Sequence, residues 1–502
     1  RRYPDFDGEI DRGALTLYLR YLYIPAPYSI YEKIFKLPPG CCLKLRNDGS
    51  SRTARPSAYW SLREITERGM EQPFSGSERE AIEHLGSLLR SAVKMRMVAD
   101  VPLGAFLSGG IDSSTVVALM QQESSRPVKT FTIGFREGTY DEASYARAVA
   151  ARLGTDHTEL YVTPKEAMQV IPELPSMYDE PFADSSQIPT FLLSHLARRE
   201  VTVSLSGDGG DELLGGYNRY LLGMHLWRKR RLLPRSLGRL AGRLLAAPSP
   251  RNWNAMLRRL SLGRLPDPSR LDGHRVHTLA AFLSAETAEE FYHDMVSFWR
   301  DPSRAVVGGG GEGPTIFAQP CQWPRSAGFP LRMMFLDAVS YLPDDILTKV
   351  DRASMHVSLE VRVPFLDHRV VEFLATVPVS MKIRGGRGKW LLRQLLDRHV
   401  PRDLVDRPKS GFSVPVSDWL RGPLRDWAEA LLDERRLLQE GYFHPPSVLE
   451  KWNDHLAERR DWPHQLWSFL MFQAWLEHSS QSRKSDSCGP CTTSALHSGT
   501  EG

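Results

Sequence analysis

The segment Leu107-Ser108-Gly109-Gly110-Ile111-Asp112-Ser113-Ser114 stands between the run Gly104-Ala105-Phe106-Leu107 and the run Ser113 to Gln122. The first reads as a short buried strand and the second as a helix. Two glycines let the backbone curl around an anion with no Cβ in the way. The helix that follows points its open N–H groups and the positive end of its dipole at the same place. Ser108, Ser113 and Ser114 add hydroxyl donors. Asp112 is the odd member, because a carboxylate repels phosphate unless a cation lies between them, and it therefore reads as a Mg²⁺ ligand. An ordinary glycine turn with a serine cap is the competing reading of this loop taken alone.

Outward from the loop the strand–helix alternation continues. Val128 to Phe135 reads as a strand, Asp141 to Leu153 as a helix closed by Gly154, and His157 to Val162 as a strand. Gln187 to Arg199 reads as a helix and Val201 to Leu205 as a strand. Repeated alternation predicts an α/β fold, a parallel sheet covered on both faces, with ligands beyond the carboxyl ends of its strands. The last of these strands runs into Ser206-Gly207-Asp208-Gly209-Gly210-Asp211-Glu212 and then Gly215-Gly216-Tyr217. A surface turn rarely needs so many acids and glycines together. A shared metal–pyrophosphate site accounts for both loops, with Asp112 and Asp211 giving oxygens to one Mg²⁺. No Gly-Lys-Ser/Thr follows the glycines, so this is not a Walker A loop.

The loop resembles the PP-loop of ATP pyrophosphatases, in which attack falls on the α-phosphate and pyrophosphate leaves. Ser108-Gly-Gly-Ile-Asp-Ser-Ser114, Phe131-Thr-Ile-Gly-Phe135, Ser206-Gly-Asp-Gly-Gly-Asp-Glu212 and Glu360-Val-Arg-Val-Pro-Phe-Leu-Asp367 occur in the order seen in asparagine synthetases of the glutamine-hydrolysing type. The resemblance covers roughly residues 1–478. It implies that Leu107, Ile133, Ser206 and Gly207 hold AMP, with the Ile133 backbone at the adenine edge, and that Ser108, Gly109, Gly110, Asp112, Ser113 and Ser114 take the pyrophosphate. Asp112 and Asp211 match the metal carboxylates, and Lys389 the lysine that neutralises the leaving phosphates. Asp208 stands where many relatives have Glu. Asp179-Glu180-Pro181 and Asp184-Ser185-Ser186 match the substrate-side loop. For Lys349, Asp351, Arg352, Glu360, Arg362 and Asp367, substrate contact and a salt-bridged helix face are equally good readings.

The reaction implied is ATP-dependent amidation of aspartate through β-aspartyl-AMP, giving asparagine, AMP and pyrophosphate. Glutamine is the expected nitrogen donor in a longer parent and ammonia in this chain. The same family also amidates sugar acids and closes β-lactam-type rings, so another carboxylate is the alternative; a non-catalytic nucleotide-binding subunit is the third reading. Three domains are expected. Residues 1–66 look like the β-rich C-terminal remnant of an Ntn-type glutaminase domain, 67–477 form the synthetase domain with a helical C-terminal part, and 478–502 form a disordered tail. The family's N-terminal cysteine nucleophile is missing here, since the chain begins Arg1-Arg2-Tyr3 and Cys41 and Cys42 cannot replace it. A fragment of a longer protein is favoured over an ammonia-only enzyme. Loss of the rest of that domain would leave Leu15, Leu19, Tyr21, Tyr31 and Phe35 exposed.

Bulk properties restrict the remaining classes. A net charge of +4 offers no general case for nucleic acid. The run Arg228-Lys229-Arg230-Arg231 reads as a solvated helix face in preference to a phosphate contact. Five scattered cysteines imply no disulfide framework, and Cys488-Gly-Pro-Cys491 lacks the strand and helix of a redox motif. No apolar run reaches spanning length, and no membrane partner is expected. A cytoplasmic setting fits, with a homodimer as the candidate assembly. Gly308 to Pro314 reads as a mobile loop, and Glu67 to Ser77 as a linker.

Overall fold

The computed structural model describes residues 6–45, 54–135, 142–248, 252–253, 256, 273–406 and 414–487. A small antiparallel pair, β1 (Cys41–Cys42) with β2 (Ser57–Ala58), precedes a five-stranded sheet. The sheet contains β3 (Leu103–Phe106), β4 (Lys129–Phe135), β5 (Asp156–Val162), β6 (Val203–Leu205) and β7 (Glu360–Arg362). Its order is β5-β4-β3-β6-β7 and every pairing is parallel. Ala105 stands level with Thr130 on one side and Leu205 on the other, and Leu205 with Arg362. The β4 sequence is buried from Thr130 onward and shows no alternation, as a strand covered on both faces must. From β3 the chain winds one way to β4 and β5, whereas from β6 it winds the other way to β7. The crevice between β3 and β6 is therefore the topological switch point. β7 was not assigned from the sequence.

Two cores clothe the sheet. One joins β3 and β6 to α3 (Glu78–Arg96), α4 (Ile111–Glu123), α5 (Ala143–Leu153), α14 (His368–Thr376) and α15 (Trp390–Leu396). The other joins β4 to α1 (Arg12–Tyr21), α6 (Gln187–Arg198), α13 (Thr348–His356) and α16 (Pro463–Ser487). Further helices are α2 (Leu62–Glu71), α7 (Gly210–Leu214), α8 (Asn218–Arg231), α9 (Arg235–Ala246), α10 (Gly273–Ser284), α11 (Ala288–Val296) and α12 (Phe329–Val339).

The N-terminal region departs from expectation. Arg12–Tyr21 is helical, capped by the Asp11 carboxylate on the Ala14 N–H at 2.9 Å. Leu15, Leu19, Tyr21 and Tyr31 are buried in the second core, so the surface expected to lie bare is covered; only Phe35, 68% exposed, is as foreseen. The covering comes from the C-terminal part of the chain: the buried Tyr18 hydroxyl donates to Ser468 O at 2.7 Å, and Arg12 to Val307 O and Gly441 O, both at 2.7 Å. The boundary placed at 66/67 falls inside α2, whose Gly69 lies against the Ala375 carbonyl at the end of α14. The loop at Gly308–Pro314 is anchored where Glu312 receives Arg20 Nε at 2.8 Å. The boundary placed at 477/478 falls inside α16, which continues to Ser487 with Ser479 buried; residues 488–502, with Cys488 and Cys491, lie outside the described residues.

Candidate active site

β3 hands over to the first glycine loop with one more rung, Leu107 N–H to Phe131 O at 2.9 Å. Ser108 and Ser113 then close the turn. Their hydroxyls lie 3.0 Å apart, the Ser108 N–H donates to Ser113 Oγ at 3.2 Å, and the Gly110 N–H donates to Ser108 Oγ at 3.3 Å. Gly109 has φ +70°, and a Cβ there would lie 2.8 Å from the Ala146 nitrogen of α5. Glycine is thus demanded by conformation and by space. Ser114 is fully buried in α4, and its hydroxyl has no hydrogen-bond partner among the described residues.

The second loop meets the first backbone to backbone. A Cβ on Gly207 would stand 2.7 Å from the Ser113 nitrogen, and one on Gly210 would press on the Asp112 carboxylate. Asp112 and Asp211 lie in the first turns of α4 and α7, so each loop delivers one carboxylate to a common point. Ser206 Oγ donates to Asp208 Oδ2 at 2.8 Å.

Lys389 fills that common point. It precedes α15 with φ +60°, its N–H donates to Leu214 O at 2.9 Å, and its side chain is buried. The ammonium pairs with Asp112 Oδ2 and, at 2.7 Å, with Asp211 Oδ1. Burial alone would depress its pKa; the two carboxylates outweigh burial and hold it well above the ordinary lysine value.

Ile133 is placed by strand geometry. In a parallel strand, alternate residues turn both backbone polar groups to the same edge. The Phe131 carbonyl faces β3, so the Ile133 N–H and C=O face the same way, past the last rung of β3 and toward the glycine loop.

A second charged group faces the loops from the other core. Lys349 of α13 is buried and donates to Asp184 Oδ2 at 2.5 Å. Asp184 also accepts from Ser186 N at 2.9 Å and Ser186 Oγ at 2.8 Å. Burial opposes the Lys349 charge, but Asp184 and Asp345 prevail and raise it to about 12, with Asp208 adding to the pull. Asp345, on the wide π-turn Leu342–Leu347 that feeds α13, is pushed well up by burial and then by Asp184. Sequence reasoning missed Asp345, and it quoted Glu212 without a role. Glu212 is buried, accepts the Tyr217 hydroxyl at 2.6 Å, and is raised to about 7 by burial first and by Asp211 second. No spacing in the sequence distinguishes these carboxyls from solvated ones.

Other charged residues serve the framework. Arg362 donates to Arg96 O and Val98 O at 2.8 and 2.7 Å, and pairs with Glu360. Asp367 caps α14 and pairs with Arg96 and Arg369. Arg352 pairs with Asp179 and Asp351 at the surface, and Glu180 with Lys36.

Two glycine loops touching at the switch point of a parallel sheet, with paired carboxylates and a buried lysine, define an α/β nucleotide-binding enzyme of the non-Walker kind. The chain belongs to the asparagine synthase family, whose model matches residues 84–477. It is 30% identical over 474 residues to asparagine synthetase [glutamine-hydrolyzing] 1 of Bacillus subtilis, covering 93% of this chain and 69% of that protein. It is 24% identical to the asparagine synthetase [glutamine-hydrolyzing] of Bos taurus (80% of this chain, 57% of that protein). It is likewise 24% identical to the amidase chyE of Penicillium rubens (81% and 66%). Family membership makes the chain an ATP-using ligase that forms a carbon–nitrogen bond, with an amidotransferase-type activity. Among the described residues no helix is long and apolar enough to cross a membrane.

Proposed function

We propose that the chain amidates aspartate. The aspartate β-carboxylate attacks the α-phosphate of ATP, pyrophosphate leaves, and ammonia captures the β-aspartyl-AMP to release asparagine and AMP. The observation that carries this reading is the convergence of Asp112, Asp211 and Lys389 where the two glycine loops touch. Ser108, Gly109, Gly110 and Ser113 offer small side chains and hydroxyls to the leaving phosphates, with Ser114 behind them. Leu107, Ile133, Ser206 and Gly207 frame the AMP. Lys389 holds positive charge where negative charge grows as the bond to pyrophosphate breaks. Asp208 and the Lys349–Asp184 pair, which lie within electrostatic reach of one another, are the charged groups we assign to the amino acid.

Mg²⁺ fits this donor set. Two carboxylates already converge on one cation, the lysine ammonium. Mg²⁺ is commonly held by one or two carboxylates with phosphate and water completing its shell. Asp112 and Asp211 would hold it, and it would supply charge neutralisation on the phosphates.

The likeness to a fungal amidase favours a second reading, in which the same chemistry serves another carboxylate. The test is ATP–pyrophosphate exchange with purified chain against aspartate, sugar acids and other amino acids, followed by product analysis with ammonium. Exchange dependent on aspartate alone supports the proposal, whereas exchange driven by another acid replaces the substrate. Asp112→Asn and Asp211→Asn should each abolish exchange with the fold intact; near-normal rates in either would remove the metal assignment.

A further inference from the structure

From Leu213 to Pro266 the chain carries no Asp or Glu, yet it holds eleven arginines and one lysine in a molecule whose net charge is only +4. Most of the described part of this stretch is the helical pair α8 and α9. Arg230, at the end of α8, is buried and donates to Leu233 O at 3.1 Å, fastening the turn between the two helices. α9 lies tightly on α10, since a Cβ on Gly238 would come within 2.8 Å of Leu283 O and one on Gly242 within 2.7 Å of Ala280 O. With that face fixed inward, the rest of α9 points out as two stripes. Leu237, Leu240 and Leu244, spaced i, i+3, i+7, are 56%, 55% and 63% exposed. Arg235, Arg239 and Arg243, spaced i, i+4, i+8, run beside them and are also exposed, Arg239 with one guanidinium nitrogen on Glu286 at 3.0 Å. Leu232, at the turn, is 81% exposed.

Isolated exposed leucines are ordinary, but an ordered stripe beside an all-basic one is not. A nucleic-acid backbone would satisfy the arginines and leave the leucines in water. An anionic bilayer satisfies both, with headgroup phosphates for the guanidinium groups and the acyl boundary for the leucines. We infer that α9, with the turn at Leu232 and Leu233, is a peripheral docking face for an anionic lipid surface. No spanning helix is involved, and the proposal departs from the expectation of no membrane partner. α8 starts directly after Gly215-Gly216-Tyr217 and ends at this turn, so a single fourteen-residue helix, about 21 Å long, links the nucleotide loops to the docking face.

The experiment is vesicle co-sedimentation of the full chain, using phosphatidylcholine alone and phosphatidylcholine with about one third phosphatidylglycerol. The bound fraction should rise at least ~10-fold on the anionic vesicles and fall with added salt. Arg235→Glu with Arg239→Glu and Arg243→Glu should abolish binding. Leu240→Ser with Leu244→Ser should reduce it ~10-fold at unchanged charge. ATP–pyrophosphate exchange, which uses none of these residues, should be unaltered in both variants. Equal or absent binding of wild-type chain to the two vesicle types overturns the proposal without recourse to any variant. So does gel filtration showing a wild-type dimer that the leucine variant dissociates, because a second copy would then own the stripe. Retention on RNA, lost in the arginine variant and kept in the leucine variant, with no vesicle binding, would also overturn it.

Discussion

Lys389 has a left-handed backbone, a buried side chain and a place before a helix, where a cation opposes the dipole. Each feature is unfavourable by itself, and Asp112 with Asp211 offsets all three. In the proposed reaction the entering phosphates would give the lysine a second partner, whose charge grows as pyrophosphate leaves. Lys389→Ala should lower pyrophosphate release at least ~100-fold, the scale for one lost transition-state charge contact, while ATP affinity changes much less. Lys389→Arg should rescue only in part, because a flat fork is not a compact ammonium. Equal loss of binding and turnover in Lys389→Ala would make the residue a ground-state anchor. Gly207 supplies an uncharged counterpart. Its added Cβ in Gly207→Ala would meet Ser113 and Asp112 backbone, which cannot swing aside. Pushing the loops apart should cost turnover about 100-fold, since such losses follow misplacements near 1 Å. Circular dichroism should show the secondary structure kept.

At the scale of elements, α1 shows where sequence reading stops. A stripe is visible only when one face meets water, and Ala14 to Leu22 is buried on nearly every side. Its Leu15, Leu17 and Leu19 even alternate, which imitates a strand. Four of the five sheet strands and the two glycine loops were legible, because glycines and carboxylates mark strand ends whatever the tertiary context. The partners of Lys349 were not, since burial of Asp184 and Asp345 is set by helices far along the chain. Leu15→Ala should cost about 2–5 kcal/mol in urea unfolding, as for other fully buried leucines. Tyr21 of the same helix shares a 2.9 Å hydrogen bond with His293 of α11. Burial, and then Arg20, lower the His293 pKa from 6.5 to about 4. Between those values the unfolded chain binds more protons than the folded one. The stability from keeping this ring neutral is therefore complete above pH 6.5 and lost as pH falls through about 4. His293→Gln should flatten that limb in urea midpoints measured from pH 7 down to 4; an unchanged slope would show that other groups carry it.

The whole molecule holds its site between two cores that share one sheet. Asp112, Asp211 and Lys389 hang from elements of the first core, beside buried Ile111, Leu213 and Leu391. Asp184 and Lys349 hang from the second, beside Ala183, Ile188 and Ala353. β4 belongs to the second core through Phe131 and Ile133, yet it is hydrogen-bonded to β3, whose Ala105 belongs to the first. Neither core can open without exposing a face of the common sheet, so the two should melt together. Trp467 tests this, because it is fully buried on α16 in the second core and apart from the nucleotide loops. Trp467→Ala should cost about 3–5 kcal/mol. Mg·ATP at a hundred times its dissociation constant should restore about 2.7 kcal/mol, the linkage value for a ligand bound only by the folded state. Because the glycine loops and Lys389 proposed to hold the phosphates hang from the first core and the substitution wounds the second, a gain of the whole 2.7 kcal/mol in the variant requires the two to be coupled. The expected result is one urea transition, by fluorescence and by circular dichroism alike, which ATP shifts equally in wild type and variant. Two transitions, with ATP moving only one of them, would show that the cores are independent and that the site is supported from a single side.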